Sequence, residues 1–138
     1  MSDFRTRAVC IALLALSATG CNVFGPSRSV DGEWIGELGK SSFVCMTLSQ
    51  DGDTITGTAS AASDGFLLYR GVPVSGEHPD VNFTVAPVNV ETCCQHLVGV
   101  TFSGKQDSTE DIVGRYGSVD IRFKLDDRNA CGTARTVP

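Results

Sequence analysis

The sequence predicts an all-β domain, an eight-stranded antiparallel up-and-down β-barrel that follows an N-terminal signal segment. From residue 31 onward, short runs rich in Val, Ile, Thr and Phe alternate with clusters of Gly, Asp, Ser and Pro. Several of these runs place apolar residues at every second position, which is the period of a half-buried strand. No stretch of this part keeps apolar residues at helical spacing. Together these observations favour strands joined by tight turns.

The predicted strands are closely spaced along the chain. They cover residues 32–38, 42–49, 54–59, 66–75, 81–85, 97–104, 111–116 and 119–125. The last run alternates most clearly, because Asp120, Arg122 and Lys124 separate its apolar residues. Asp51-Gly52 predicts a hairpin between the second and third strands. Eight such strands can close on themselves, which leaves no exposed sheet edge.

Pro73 lies within the fourth predicted strand and cannot donate a ladder hydrogen bond. It therefore marks a bulge or an edge. If it marks an edge, the barrel is open there, and a two-sheet β-sandwich is the alternative architecture.

The first twenty residues have the pattern of an export signal. Arg5 and Arg7 precede an apolar run over residues 8–16, which is too short to span a bilayer as a helix. Ala18, Thr19 and Gly20 then lead to Cys21. This order of small residues before a cysteine resembles the bacterial lipobox.

The lipobox resemblance implies a domain organisation and a location. Residues 1–20 would be removed as a lipoprotein signal peptide, and Cys21 would be acylated. Residues 21–30 would form a flexible tether, and residues 31–138 would form the barrel. The protein would then be attached to a membrane of the cell envelope through this lipid anchor. Asn22 after the cysteine implies the outer membrane in a Gram-negative host.

The charge balance excludes one class of partner. Residues 21–138 carry 9 Lys and Arg against 15 Asp and Glu. An acidic domain without a basic stripe is a poor candidate for binding nucleic acid.

Four cysteines remain after Cys10 leaves with the signal peptide and Cys21 takes the lipid. They are Cys45, Cys93, Cys94 and Cys131. An even number in an exported chain predicts two disulfides. Because a bond between neighbours strains the backbone, we expect Cys45 and Cys131 each to pair with one of Cys93 and Cys94, in either order. A soft metal site at Cys93, Cys94 and His96 is the alternative, but an oxidising compartment favours the disulfides.

Gly32-Glu33-Trp34 opens the first strand. This tripeptide resembles the Gly-x-Trp start of calycin barrels, the lipocalin and avidin families. The resemblance implies that Trp34 closes one end of the barrel or lines a pocket, and that a basic side chain near the last strand packs over it. Arg122 and Arg128 are the candidates for that side chain.

The sequence contains no recognisable nucleophile motif and no phosphate-binding loop. His78 lies in a polar turn, and Asp107, Glu110 and Asp111 surround a turn rich in polar residues. We therefore expect no enzyme and no cofactor. The predicted function is an envelope binding module, holding a small apolar ligand or contacting an envelope protein. The alternative is a structural or inhibitory protein with a filled barrel, acting through its surface loops.

Overall fold

The computed structural model describes residues 29–126 and Cys131. The predicted signal peptide, the lipid site at Cys21 and the candidate Arg128 lie outside the described residues. The described chain forms a closed barrel of eight strands, each hydrogen-bonded to its neighbours in chain order. All strand pairs are antiparallel. The predicted up-and-down barrel is confirmed, and the sandwich alternative is wrong.

The strands agree closely with the runs of alternating residues. They are β1 Gly32–Glu37, β2 Ser42–Asp51, β3 Thr54–Ser63, β4 Phe66–Glu77, β5 Asp80–Thr84, β6 Thr101–Ser108, β7 Asp111–Tyr116 and β8 Val119–Leu125. Two short 3-10 helices, η1 Pro87–Asn89 and η2 Thr92–Leu97, connect β5 to β6. Gly52 has a φ of 63° in the turn between β2 and β3, a conformation that glycine adopts without steric cost.

The sixth strand differs from its prediction. It begins at Thr101, because Leu97 ends η2 and the residues up to Val100 belong to a turn. Val98, which lies within the predicted run 97–104, is exposed and belongs to this turn. The alternating pattern of this segment arises partly from a turn that packs Leu97 and Val100 against the core.

Pro73 lies where β4 has a strand on one side only. It pairs with Thr58 of β3, whereas β4 and β5 pair only at Val74 and Ser75. Before that point the segment containing η1 and η2 covers β4 instead, through a bridge between Tyr69 and Val90. A missing amide donor is tolerated most easily where a strand has a neighbour on one side only.

The barrel interior is filled by large side chains. The aromatic rings form a continuous series, in which the centroid of Phe102 lies 5.1 Å from that of Phe123 and 5.6 Å from that of Phe83. Tyr116 follows 6.3 Å from Phe83. The fully buried side chains include Trp34, Val44, Met46, Ile55, Tyr69, Val72, Val81, Val85, Phe102, Ile112 and Phe123. Eight strands enclose an interior of about this capacity.

Inward-facing glycines do not leave gaps in this interior. A Cβ placed on Gly104 would come within 2.6 Å of the Phe102 ring. At Gly114 the added carbon would meet the backbone of Ser103 and Gly104. The small residues therefore make room for rings and for closely approaching strands, and not for a cavity.

The chain before β1 closes one end of the barrel, which we call the tether end. Val30 is fully buried, and its carbonyl accepts a 2.8 Å hydrogen bond from Nε1 of the buried Trp34. The Val30 amide donates to Oε1 of Gln50, and the Ser29 carbonyl accepts from Nε2 of Gln106. Ser29 and Val30, which the sequence predicts as part of the tether, therefore pack against the barrel end.

We predict that Trp34→Ala lowers the free energy of unfolding by about 3–5 kcal/mol, because the change empties a large buried site. Val88→Ala is the matched control, since Val88 is 89% exposed and its truncation should cost less than about 0.5 kcal/mol. Denaturant unfolding measures both changes. Equal effects of the two substitutions would contradict the burial of Trp34.

Candidate functional site

Arg122, one of the two basic side chains expected near Trp34, is not found there. Arg122 lies on the outer face of β8, where its Nη1 is 3.3 Å from Oδ1 of Asp111. It does not pack over Trp34, so this part of the calycin-like expectation is wrong. The strand alternation explains the difference, since Ile121 and Phe123 take the inward positions on either side of Arg122. Val30 occupies the tether end instead.

Asp111 of β7 forms ion pairs with two basic side chains of β8, Arg122 and Lys124. Its Oδ1 is 2.7 Å from Nζ of Lys124, and its Oδ2 accepts a 3.0 Å bond from the Ser108 hydroxyl. The hydrogen bond with Lys124 has the largest effect on the pKa of this carboxyl; burial, the next largest, opposes it, and Ser108 and Arg122 help to hold the pKa below its usual value. The carboxylate therefore has a structural role, because it links β7 to β8 on the outer face of the barrel.

The disulfides pair differently from the prediction. Cys45 is bonded to Cys131, and Cys93 is bonded to Cys94. The expectation that Cys45 and Cys131 would each bond to the Cys93-Cys94 pair is therefore wrong. Both disulfides lie within the described part of the chain.

The barrel order explains this pairing. Cys45 lies on β2 and faces outward, in a small cluster with Ala62 and Cys131. Cys131 follows β8, which is separated from β2 only by β1. Cys93 and Cys94 lie in η2, between β5 and β6. The C-terminal segment therefore reaches Cys45 by crossing a single strand.

The two disulfides differ in what they constrain. Cys45 and Cys131 are separated by 86 positions in sequence, and closing a loop of that length corresponds to about 4.6 kcal/mol in the chain-entropy account of cross-links. Cys93 and Cys94 are adjacent, so their bond closes no chain loop. The first disulfide can stabilise the whole fold, whereas the second acts only on η2.

A surface groove lies at the opposite end of the barrel, which we call the loop end. The groove has a volume of about 790 Å³ and lies between the β3–β4 hairpin and η2. Its lining residues are Ser63, Asp64, Phe66, Leu67, Leu68, Arg70, Glu91, Thr92 and Cys93. Phe66 is 67% exposed, and among the described residues it is the only Phe, Tyr or Trp side chain that is exposed.

Backbone contacts fix the two walls of this groove. The Glu91 amide donates a 3.0 Å hydrogen bond to the Leu68 carbonyl of β4. The Cys94 amide in turn donates 2.9 Å to the Glu91 carbonyl. On the opposite wall, Ser41 Oγ donates to the Asp64 carboxylate, which holds the β3–β4 turn. The position of Phe66 is thus set by a braced hairpin tip.

A buried pair of hydroxyls joins β4 and β7 inside the barrel. The oxygens of Tyr69 and Tyr116 are 2.9 Å apart. Burial raises the pKa of Tyr69 strongly, and the Tyr116 hydroxyl raises it further. Burial also raises the pKa of Tyr116, partly offset by its hydrogen bond with Tyr69. Both side chains are therefore held as neutral phenols in the folded protein.

A second groove of about 690 Å³ lies on the outer face of β6, β7 and β8. It is lined by Asp80, Ser103, Gly104, Lys105, Val113, Gly114, Arg115, Asp120, Ile121 and Arg122. Two of its cations form ion pairs, Arg122 with Asp111 at 3.3 Å and Arg115 with Asp120 at 2.9 Å. This groove is mostly neutralised within the protein itself.

The arrangement offers little for metal binding. Among the described residues, Glu33, Asp126 and Cys131 form the one cluster whose ligand atoms lie close together. Cys131 is held in a disulfide, so its sulfur is not a thiolate ligand. Cys93 and Cys94 are bonded to each other, which removes the two thiolates of the alternative site with His96.

Sequence reasoning missed the loop-end groove entirely. The sequence predicts a strand that contains Phe66 and Arg70, and it leaves Glu91 and Thr92 in a connection. The one available signal was an aromatic residue directly after the turn Ser63-Asp64-Gly65, where polar residues are usual. That signal does not indicate which other segment faces the aromatic ring.

Comparisons with family models, with curated proteins and with solved structures find no match for this chain. Within the residues that are described, no helix has the length and apolar character needed to cross a bilayer.

We predict that the two tyrosines remain protonated at alkaline pH until the protein unfolds. Their pKa values are raised on folding, so the associated stability is present below the unfolded tyrosine pKa of about 10 and is lost as the pH rises beyond it. Tyrosinate absorbance should appear together with the loss of near-ultraviolet circular dichroism. The chain has only two tyrosines, so Tyr69→Phe combined with Tyr116→Phe is a direct control. Tyrosinate absorbance near pH 10 in a folded protein would contradict the hydroxyl pair.

Proposed function

We propose that this chain is a lipid-anchored, non-enzymatic binding module of the bacterial cell envelope that contacts a protein partner through its loop end. The lipobox-like segment ending at Cys21 supports the anchor, and the closed eight-stranded barrel is compatible with a calycin-like fold. The observation that carries the proposal is the exposed Phe66 in a braced groove, at the end opposite to the point where the tether enters.

The filled interior favours a surface function over an internal ligand. A small apolar molecule inside the barrel would have to displace buried rings such as Phe102 and Phe123. Displacing close-packed core side chains is costly. The proposal therefore follows the alternative of a filled barrel acting through its surface.

The geometry of the tether supports the loop end as the binding face. Ser29 and Val30 lie at the tether end, against Gln50 and Gln106. An anchor attached through this segment leaves the opposite end free to meet another protein. Four large apolar side chains are exposed close to the loop-end turns, namely Phe66, Val88, Val98 and Val119.

The charge of the domain indicates the chemistry of the partner. Residues 29–126 contain fourteen Asp and Glu and six Lys and Arg. Of these six cations, Lys105, Arg115, Arg122 and Lys124 lie on the outer faces of β6, β7 and β8. The groove itself carries Arg70 against Asp64 and Glu91, so it is weakly acidic within a strongly acidic domain. We expect a basic protein, since complementary charge raises association rates and disfavours acidic competitors.

Cys21→Ser tests the anchor. The unaltered protein should fractionate with membranes, and this variant should not be acylated, so it should appear as a soluble or unprocessed form. Detergent partitioning measures the difference. Unchanged partitioning of the variant would contradict lipid attachment at Cys21.

A photo-crosslinking amino acid at position 66 tests the binding face in the native host. We expect capture of a defined basic protein from position 66, and none from position 82 on the outer face of β5 as the matched control. With the captured protein purified, Phe66→Ser should weaken binding at least tenfold, as loss of a central aromatic anchor does. The same substitution should leave unfolding within about 0.5 kcal/mol, because Phe66 is an exposed residue.

Native mass spectrometry tests the competing function, in which the barrel carries a small ligand. A small molecule that co-purifies at one copy per chain, together with no crosslink at position 66, would contradict the proposal and favour a ligand carrier. Equal binding of the captured protein to Phe66→Ser would place the contact elsewhere on the surface.

A further inference from the structure

We propose that the Cys93–Cys94 disulfide is a thiol–disulfide exchange site that accepts electrons from a dithiol reductant, and that its opening alters the loop-end groove. The exchange chemistry stands on the structure of η2 alone. Its regulatory meaning rests on the proposed use of the groove.

The first argument is that this bond has little value as a structural cross-link. Disulfides stabilise proteins mainly by restricting the unfolded chain, and the effect grows with the length of the closed loop. Cys93 and Cys94 are neighbours, so their bond restricts no loop. Cys45–Cys131, with its 86-residue separation, already supplies long-range restraint.

The second argument is access. Exchange requires a thiolate to reach a sulfur of the disulfide. Cys93 is exposed and lines the groove, whereas Cys94 is 4% exposed. Cys45 and Cys131 are 2% and 0% exposed. A reductant can therefore approach Cys93 in the folded protein, but cannot approach the second disulfide without prior unfolding.

The step balances with a dithiol as the two-electron donor. A thiolate of the reductant attacks Sγ of Cys93, the Cys93–Cys94 bond breaks, and Cys94 leaves as a thiolate that takes up a proton. The second thiolate of the reductant then attacks the mixed disulfide at its own first sulfur. Cys93 leaves and is protonated, and the reductant is released as a disulfide.

Contacts connect the exchange site to the groove. Cys94 has backbone angles of φ −128° and ψ 31°, which interrupt η2 at this residue. Its amide is bonded to Glu91, whose own amide is bonded to Leu68 on the opposite wall. Opening the disulfide releases the covalent restraint on η2, and this short chain of contacts transmits the change to Leu68.

The experiment treats the folded, oxidised protein with increasing dithiothreitol, alkylates free thiols and maps the modified peptides. We expect Cys93 and Cys94 to be alkylated together at a dithiothreitol concentration at least tenfold below that needed for Cys45 and Cys131. The buried disulfide serves as the control within the same molecule. Simultaneous reduction of both disulfides, or earlier reduction of Cys45–Cys131, would overturn the exchange site.

Backbone amide chemical shifts separate the regulatory part from the exchange chemistry. After selective reduction, we expect shifts at Glu91, Leu68 and Leu67, with the strands remote from η2 unchanged. Cys93→Ser combined with Cys94→Ser should reproduce these shifts without reductant and should no longer respond to dithiothreitol. Shifts confined to residues 93 and 94 would overturn the link to the groove. Neither measurement requires a partner, so failure here is distinguishable from failure of the proposed partner binding.

Discussion

The structure depends on one constraint, which is that the interior of an eight-stranded barrel must be filled by its own side chains. Phe83, Phe102, Phe123 and Tyr116 form one connected series of rings. Gly104 is part of this packing, because it lacks a side chain and the Phe102 ring lies where its Cβ would be. Because ring and glycine are complementary, neither can change alone without a clash or a void. Filling the interior in this way leaves the outer surface as the place for recognition.

Most of the fold could be predicted from the sequence, because the alternation of apolar and polar residues in a strand is a local signal. The run from Val119 to Leu125 alternates within seven residues, and its inward positions Ile121 and Phe123 are buried as expected. The turn at Gly52 is likewise decided by its own residues. The error at Leu97 has a local cause too, since an apolar turn packed against the core resembles a strand in sequence.

The parts that could not be predicted depend on which segments meet across the barrel. Cys45 and Cys131 are joined because β8 lies next to β1, a relation that strand patterns alone do not reveal. The calycin-like resemblance predicts Arg122 at the barrel end, whereas its position in β8 points it outward to Asp111. The loop-end groove brings residues of β4 and η2 together, and each of these segments alone carries little indication of a site.

The Cys45–Cys131 disulfide has a further consequence for how the protein responds to proteolytic cleavage. Every turn from β2 onward lies between these two residues in sequence. A protease that cuts one exposed turn, such as the one at Gly65, therefore produces two fragments that remain covalently joined. The closed sheet can hold the nicked chain together while the cut remains invisible on a non-reducing gel. Damage that would separate an unlinked barrel into pieces thus leaves this one as a single molecule.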